Sequence, residues 1–590
     1  MKSSPIHSES LAGSEAVAVH PALAGRSATE TVEPLADARP SSWDWAGGAT
    51  LLLCGMAVLG LGGWAYRHFI EPRWLPIWDE SLYYPNAVRI WHALHSWDLR
   101  GVARETWKNH LMLGGPFLSP YFLALGLTFG GTTLEAARAA SLAAGILACG
   151  GIAWVASTMV EEGKAYAAAV AATLWATSPL FLFYTTRAIY DSFALAATAF
   201  CLVAAARFAE HKGRGAAVAT GLLASAVMQT KCNIGVLLIA ALFWGLAYPE
   251  LRARLKKDAR GLLAPLAGPW FLLAAATIIP VIGALMVDGV KEFVTYLQGF
   301  PFNPMSLREY LLTYPRALFQ DYVPVAGLGV LIVLGILYWT WRGWGKPAVR
   351  VVLLYVLLQL TAATLHPQKD VRFVLGSVAL ACALTGAFLA KEIGALQGAP
   401  RLAGGAVLAS LLAYGVWMAP TGAQRFFDVW QVAPTAAQSA TLTQGLNFIR
   451  DNTRAGEPLF VAGVADRGIN GGMVRQFLMD PSTGKSGRIK ELPPSDAPGI
   501  WGVSPEPSLE YAAFLAQAIR ENPAASVAIL YHEPGSPFRG HLYPWINAWQ
   551  ENYGPVAANS KDLRLVNELD THAGLRVRVY HAVDAADGVK

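Results

Sequence analysis

Charge is scarce in this sequence. Only 15% of its 590 residues are Asp, Glu, Lys or Arg, against about 25% in soluble proteins, while 54% are hydrophobic. A soluble chain of this size would have too few charges to cover its surface, so an integral membrane protein is expected. A basic tract is missing as well. With a net charge of only +5 and no nucleic-acid signature, nucleic acid is excluded as a partner. The five cysteines, Cys54, Cys149, Cys201, Cys232 and Cys382, have no metal-ligand spacing and fall in apolar stretches, so they read as small buried hydrophobes. The N-terminal residues lack the apolar core of a signal peptide. Rich in Ser, Ala, Glu and Pro, residues 1–44 read as a disordered cytoplasmic tail, and the first apolar run as a retained anchor.

What the chain does have is long apolar runs. A spanning helix needs about 20 apolar residues. Candidates fall near 46–66, 135–160, 165–184, 191–208, 215–230, 233–248, 262–286, 323–341, 348–365, 371–390 and 402–419. The expected fold is therefore an all-α polytopic membrane protein of about 11 transmembrane helices over 45–420. A shorter stretch at 111–130, broken by Gly114, Gly115, Pro116 and Pro120, reads as interfacial or re-entrant. Four basic loops, 207–215, 249–260, 341–350 and 391–401, fall on one face, which the positive-inside rule makes cytoplasmic. By parity the 67–134 loop and the C-terminus face outward. After Pro420 the composition becomes that of a soluble protein. Helix-then-strand patterns at "TLTQGLNFIRDNT"/"PLFVAGV" and "LEYAAFLAQAIRENP"/"SVAILYH" predict a small extracytoplasmic α/β domain over 421–590, with "LRVRVYHAV" as an edge strand. "MDPSTGKS" and "GVADRGINGG" are poor phosphate loops, the first having Met479 where a glycine belongs.

Polar residues at the outer face ask for a reason, because a charge at membrane depth costs about 2.5–3.5 kcal/mol on insertion scales. Asp79 and Glu80, in "WDESLYY", either cap a helix over 80–95 or do chemistry; the two roles are compatible. Arg187 and Asp191 are four apart and on a helix would form an ion pair. Lys231 lies between two short apolar spans and either snorkels or binds an anion. His366, Lys369 and Arg372 make a basic cluster against the positive-inside trend, which suggests a bound phosphate. Together they suit transfer of a group from a lipid phosphate. Asp79 or Asp191 would act as base or metal ligand, and Lys231, Lys369 and Arg372 would stabilise the departing phosphate.

In the order of these motifs the chain resembles the GT-C glycosyltransferases. The similarity is to dolichyl-phosphate-mannose–protein mannosyltransferases and the bacterial lipid A aminoarabinose transferase. "WDESLYY" resembles their first outer-loop acidic motif, and "GGPFLSPYFLALGLTFGGTTLEAARAAS" their Pro-containing segment followed by a helix with Glu and Arg. "TTRAIYDSFALAA" resembles the second acidic motif, "LASAVMQTKCNIGVLLI" the Thr-Lys segment and "HPQKDVRFVLGSVALA" the late outer loop. The resemblance covers roughly residues 45–420. It implies inverting transfer of a sugar from a polyprenyl-phosphate donor to an extracytoplasmic acceptor, at a bacterial-type inner membrane. It implies Asp79 as base with Glu80 beside it, Arg187 and Asp191 in the second motif, and Lys231 and Arg372 at the donor phosphate. Metal dependence varies among such enzymes, so a divalent cation stays an open expectation. Gly114-Gly115-Pro116 and Leu82 depart from the basic residues many members carry, so donor binding is expected to be built differently. The rival readings are a transporter or flippase of lipid-linked sugars, which would not need Asp79 as a base, and a non-catalytic scaffold. No repeated halves of the transporter kind are visible.

Overall fold

The computed structural model describes residues 45–71, 78–113, 118–257, 268–285, 306–366, 370–430, 436–454, 457–462, 473–474, 477–478, 489–491, 515–532, 554–571 and 574–583. The helices of the first part are α1 (Trp45–Ala65), α2 (Trp78–His95), α3 (Leu99–Leu113), α4 (Ser119–Gly130), α5 (Leu134–Thr158), α6 (Lys164–Ala176) and α7 (Pro179–Tyr184). Next come α8 (Asp191–His211), α9 (Arg214–Thr230), α10 (Cys232–Leu242), α11 (Tyr248–Lys257) and α12 (Pro269–Leu285). The last are α13 (Leu307–Gln320), α14 (Ala326–Arg342), α15 (Pro347–Leu365), α16 (Leu375–Ala395), α17 (Gly398–Trp430) and α18 (Ala436–Asn452).

Each of the eleven apolar segments read from the sequence is helical over most of its described length. Among the described residues, seven helices are long and apolar enough to cross a membrane, and Pro269–Ile279 and Ala326–Arg342 are shorter apolar helices. The 165–184 segment is broken. Thr177 closes α6, and Ser178, whose hydroxyl accepts from the Leu180 N–H, caps α7 with Pro179 at its first position. The glycine- and proline-broken stretch near 111–130 is the end of α3 and the whole of α4, with residues 114–117 outside the described residues. The compositional change at Pro420 falls inside α17, whose last turns carry Phe426 and Phe427 onto Phe183.

Small residues let these helices approach closely, as membrane packing favours. In α16, the most enclosed of the spans, a Cβ on Gly386 would meet the Ala167 carbonyl at 2.5 Å and the Ala171 nitrogen at 2.8 Å, both backbone atoms of α6. Three cysteines are buried as expected, while Cys54 and Cys232 are half-buried.

Two ends of the bundle can be told apart. At one, Lys346 is 3.4 Å from Glu161, Lys212 is 3.6 Å from Glu250, and the Arg350 Nε donates to the Gly245 carbonyl at 2.8 Å. These contacts involve three of the four basic turns read from the sequence, 207–215, 249–260 and 341–350. At the other, Ser119 Oγ donates to the Thr230 carbonyl at 2.8 Å and Ser178 Oγ to the Tyr322 carbonyl at 2.7 Å.

The C-terminal part is α/β. Strands β1 (Leu459–Ala462), β2 (Ile489–Glu491), β3 (Ser526–His532), β4 (Leu563–Asp570) and β5 (Leu575–Ala582) form one sheet of order β2-β1-β3-β5-β4. β1 pairs parallel with β2 and β3, while β5 pairs antiparallel with β3 and β4. The expectation that "LRVRVYHAV" is an edge strand is corrected. It is β5, an interior strand, and its alternation arises because Leu575, Val577 and Val579 face the core formed with α18. β4, exposed along most of its length, is at the edge. The two glycine-containing stretches at 463–472 and 479–486 lie outside the described residues.

Candidate functional site

Of the outer-face residues singled out in the sequence, Glu80, Arg187, Asp191, Lys231 and Arg372 gather at one end of the bundle. α2 begins at Trp78, so Asp79 is the second residue of the helix rather than a residue preceding it. Its side chain lies outside the described atoms. Glu80 follows and is fully buried. Its carboxylate takes two hydrogen bonds from Arg138 of α5, at 2.7 Å from Nε and 2.8 Å from Nη2, in the two-pronged geometry that suits a guanidinium. The Ala188 N–H donates to it at 2.8 Å, and Arg187 Nη1 lies 3.7 Å away. Burial alone would raise the Glu80 carboxyl. The charge and hydrogen bonds of Arg138, with Arg187 and the Ala188 N–H, hold it below the usual carboxylate range instead.

Arg138 stands where it does because α5 starts sharply. Thr133 caps the helix, its hydroxyl accepting from the Ala136 N–H at 3.1 Å, and Glu135 complements the dipole in the first turn.

The ion pair expected between Arg187 and Asp191 is not formed. Residues 185–190 are turns rather than helix, so the two side chains do not share a helical face. Arg187 turns to Glu80, with its guanidinium 4.4 Å from the Phe183 ring centre. Asp191 opens α8 and pairs with Lys231. Lys231 is the extended residue between α9 and α10, and its side chain is 19% exposed against 3% for Asp191. The Lys231 ammonium is thus turned to a buried carboxylate.

The late outer loop is also built around a carboxylate. Asp370 caps a short 3-10 turn over Val371–Val374, accepting from the Arg372 N–H at 3.0 Å. Arg372 Nε is 2.7 Å from Asp370 Oδ2, and Asp370 Oδ1 accepts from the Tyr184 hydroxyl at 3.5 Å. Tyr314 reaches its backbone carbonyl at 3.1 Å. Burial pushes the Asp370 carboxyl up to about 6, and Asp191 adds to the rise, while the Arg372 N–H and Lys231 work against it. His366 packs its ring edge-on against Phe373, and Lys369 lies outside the described residues.

One stretch joins these groups. Tyr184 reaches Asp370, Arg187 and Ala188 reach Glu80, Tyr190 stacks on Tyr83 at 3.9 Å, and Asp191 holds Lys231. α4 is tied in as well: the Leu118 N–H donates to the Gln229 carbonyl at 3.1 Å, beside Lys231. Sequence reasoning missed Arg138, Asp370 and Tyr184. Among the described residues no three His, Cys, Asp or Glu side chains come together as a metal site requires.

The described residues thus form a helical membrane bundle with paired charges at one end, followed by a small sheet region, and the fold is the GT-C type of ArnT. Residues 114–282 match the model of a family described as dolichyl-phosphate-mannose-protein mannosyltransferase. No curated protein matches the sequence significantly. Among solved structures, the chain is similar to ArnT from Cupriavidus metallidurans in the apo state, with a TM-score of 0.56 at 13% identity over 90% of this chain and 98% of that one. The same protein bound to undecaprenyl phosphate aligns with a TM-score of 0.53 at 13% identity, over 92% and 99% of the two chains. The archaeal oligosaccharyltransferase AglB from Archaeoglobus fulgidus, in complex with an inhibitory peptide and a dolichol-phosphate, aligns with a TM-score of 0.52 at 13% identity, over 92% and 75%.

Proposed function

We propose that the protein is a membrane glycosyltransferase that moves a sugar from a polyprenyl-phosphate donor to an extracytoplasmic acceptor, which is a protein, lipid A or another glycan. The observation that carries this reading is the Tyr184–Asp191 stretch, which brings a buried acidic node beside two carboxylate–cation pairs at one end of the bundle. The family match and the two lipid-phosphate-bound relatives support it. The end that carries these residues is read as extracytoplasmic, with the N-terminus inside and the protein in a plasma (inner) membrane.

In the reaction, an acceptor hydroxyl attacks the anomeric carbon as the bond from that carbon to the phosphate oxygen breaks. The electron pair leaves on the phosphate, the hydroxyl proton passes to Asp79, and one displacement inverts the sugar. Lys231 and Arg372, joined by Lys369 and His366, meet the phosphate charge. Glu80 is given a different task. It is saturated by Arg138, Arg187 and the Ala188 N–H, so it fixes the first turn of α2 and thereby the position of Asp79.

Asp79→Asn tests the assignment, because an amide of the same shape cannot take the proton. Transfer by the purified variant should fall about 10²–10⁴-fold while donor binding and membrane insertion persist. Near-normal transfer would remove Asp79 as the base and put Asp191 first in line.

A further inference from the structure

The opposite end of the bundle holds a second feature. The turns after α5 and α8 and before α15 enclose a basin of about 570 Å³. α8 separates it from the site: Asp191 opens that helix and His211 closes it, about 30 Å apart at 1.5 Å per residue. Four basic side chains line the basin, Lys164, Arg207, His211 and Lys346. Two carboxylates also line the basin, Glu161 at 3.4 Å from Lys346 and Glu210 at 3.7 Å from the His211 ring. Lys164 and Arg207 have no carboxylate within ion-pair distance among the described residues.

Arg207 is also held in place. Its guanidinium lies 4.7 Å from the centre of the Trp154 ring, on the wall of the basin. The lining is otherwise partly apolar, with Met159, Val160 and Val349 buried beneath the cations. At the turn that leads to Lys346, Trp341 is 80% exposed, a position that suits the headgroup layer of a bilayer. A small free anion would use the cations alone. A phospholipid would use the cations for its phosphate and the apolar lining and tryptophans for its glycerol and upper chains.

We propose that this basin binds the headgroup of an anionic phospholipid, with Lys164 and Arg207 holding the phosphate. The site is independent of the transfer reaction, and the two can fail separately.

The test uses the full chain in zwitterionic nanodiscs with phosphatidylglycerol titrated in, read by native mass spectrometry of retained lipid. At about fivefold for each cation near the surface, Lys164→Gln/Arg207→Gln should retain phosphatidylglycerol about 25-fold more weakly, and Lys164→Gln alone about fivefold. Unchanged melting of both variants in purely zwitterionic discs checks that they fold. A control, Lys391→Gln/Arg401→Gln, removes two cations from the same end but not from the basin, and should weaken retention by clearly less than the basin pair does. Equal loss in the control would reduce the effect to general surface charge and overturn the proposal. So would displacement of the lipid by equimolar inorganic phosphate, which would make the occupant a free anion.

Discussion

Glu80 has left water completely, and the cost of doing so is offset by the two buried guanidiniums that face it, Arg138 and Arg187. Glu80→Gln takes the carboxylate from both and should destabilise the protein by about 3–5 kcal/mol, measured by thermal denaturation in detergent. Arg138→Met should cost less, because Arg187 and the Ala188 N–H still face Glu80. The same logic changes how Lys231 is tested. Lys231→Met leaves Asp191 buried and alone, so its loss of donor affinity is separable from misfolding only in the Lys231→Met/Asp191→Asn pair. Asp370 gives a pH dependence. Above pH 6 its ionised carboxylate neutralises Arg372; as the pH falls through about 6 it takes a proton and releases that cation. Binding of a phosphodiester donor analogue, whose own charge does not change there, should strengthen as the pH is lowered across this window. Asp370→Asn should flatten the profile. Stability runs in the same direction: the contribution of a carboxyl with a raised pKa is fully present below the ordinary Asp range and is lost as the pH rises through about 6. The residues missed in the sequence share one cause. Arg138 meets a partner 58 positions away and Tyr184 one 186 away, and no spacing rule reaches so far.

Helices were legible because a bilayer leaves the backbone few options: every apolar segment long enough to cross had to be helical. Breaks were not. The residues at 177–179 look like part of one span, yet a cap and a proline divide it, and the short α7 that results delivers Tyr184 and the turns behind it to the site. Likewise the alternation of β5 records a buried face, and pairing on both sides is invisible to it. Close approach of α16 to α6 gives a prediction at this scale. Gly386→Ala places a methyl against α6 backbone, which cannot yield as a side chain would, and should cost about 1–3 kcal/mol of stability. Transfer per folded molecule should stay near that of the parent, measured on protein recovered after heat challenge.

The described membrane helices form a bundle with two unlike ends, one with carboxylate–cation pairs and the other with basic turns. Of the four basic loops expected to share a face, 207–215 and 249–260 touch through Lys212 and Glu250. Which compartment each end meets is open to a direct measurement. None of the five native cysteines is exposed, so single new cysteines report cleanly. In intact cells a membrane-impermeant maleimide should label Asp98→Cys, in the exposed turn after α2, and should reach Gly345→Cys only after permeabilisation. The reverse pattern would invert the topology and remove the proposed site from the extracytoplasmic side.

Each described cation of the site already faces a carboxylate: Arg138 and Arg187 face Glu80, Lys231 faces Asp191, and Arg372 faces Asp370. For the reaction proposed above, this bears on how the spent carrier gets out. A phosphodiester donor brings one negative charge, but the monoester left after transfer carries about −1.5 to −2 at neutral pH. Cations alone would grip the by-product harder than the reactant and stall the enzyme. In that reaction Asp191 and Asp370, by reclaiming Lys231 and Arg372, would act as an ejector. Product inhibition by polyprenyl phosphate should accordingly deepen in Asp370→Asn, with turnover slowing after the first round while the initial burst survives.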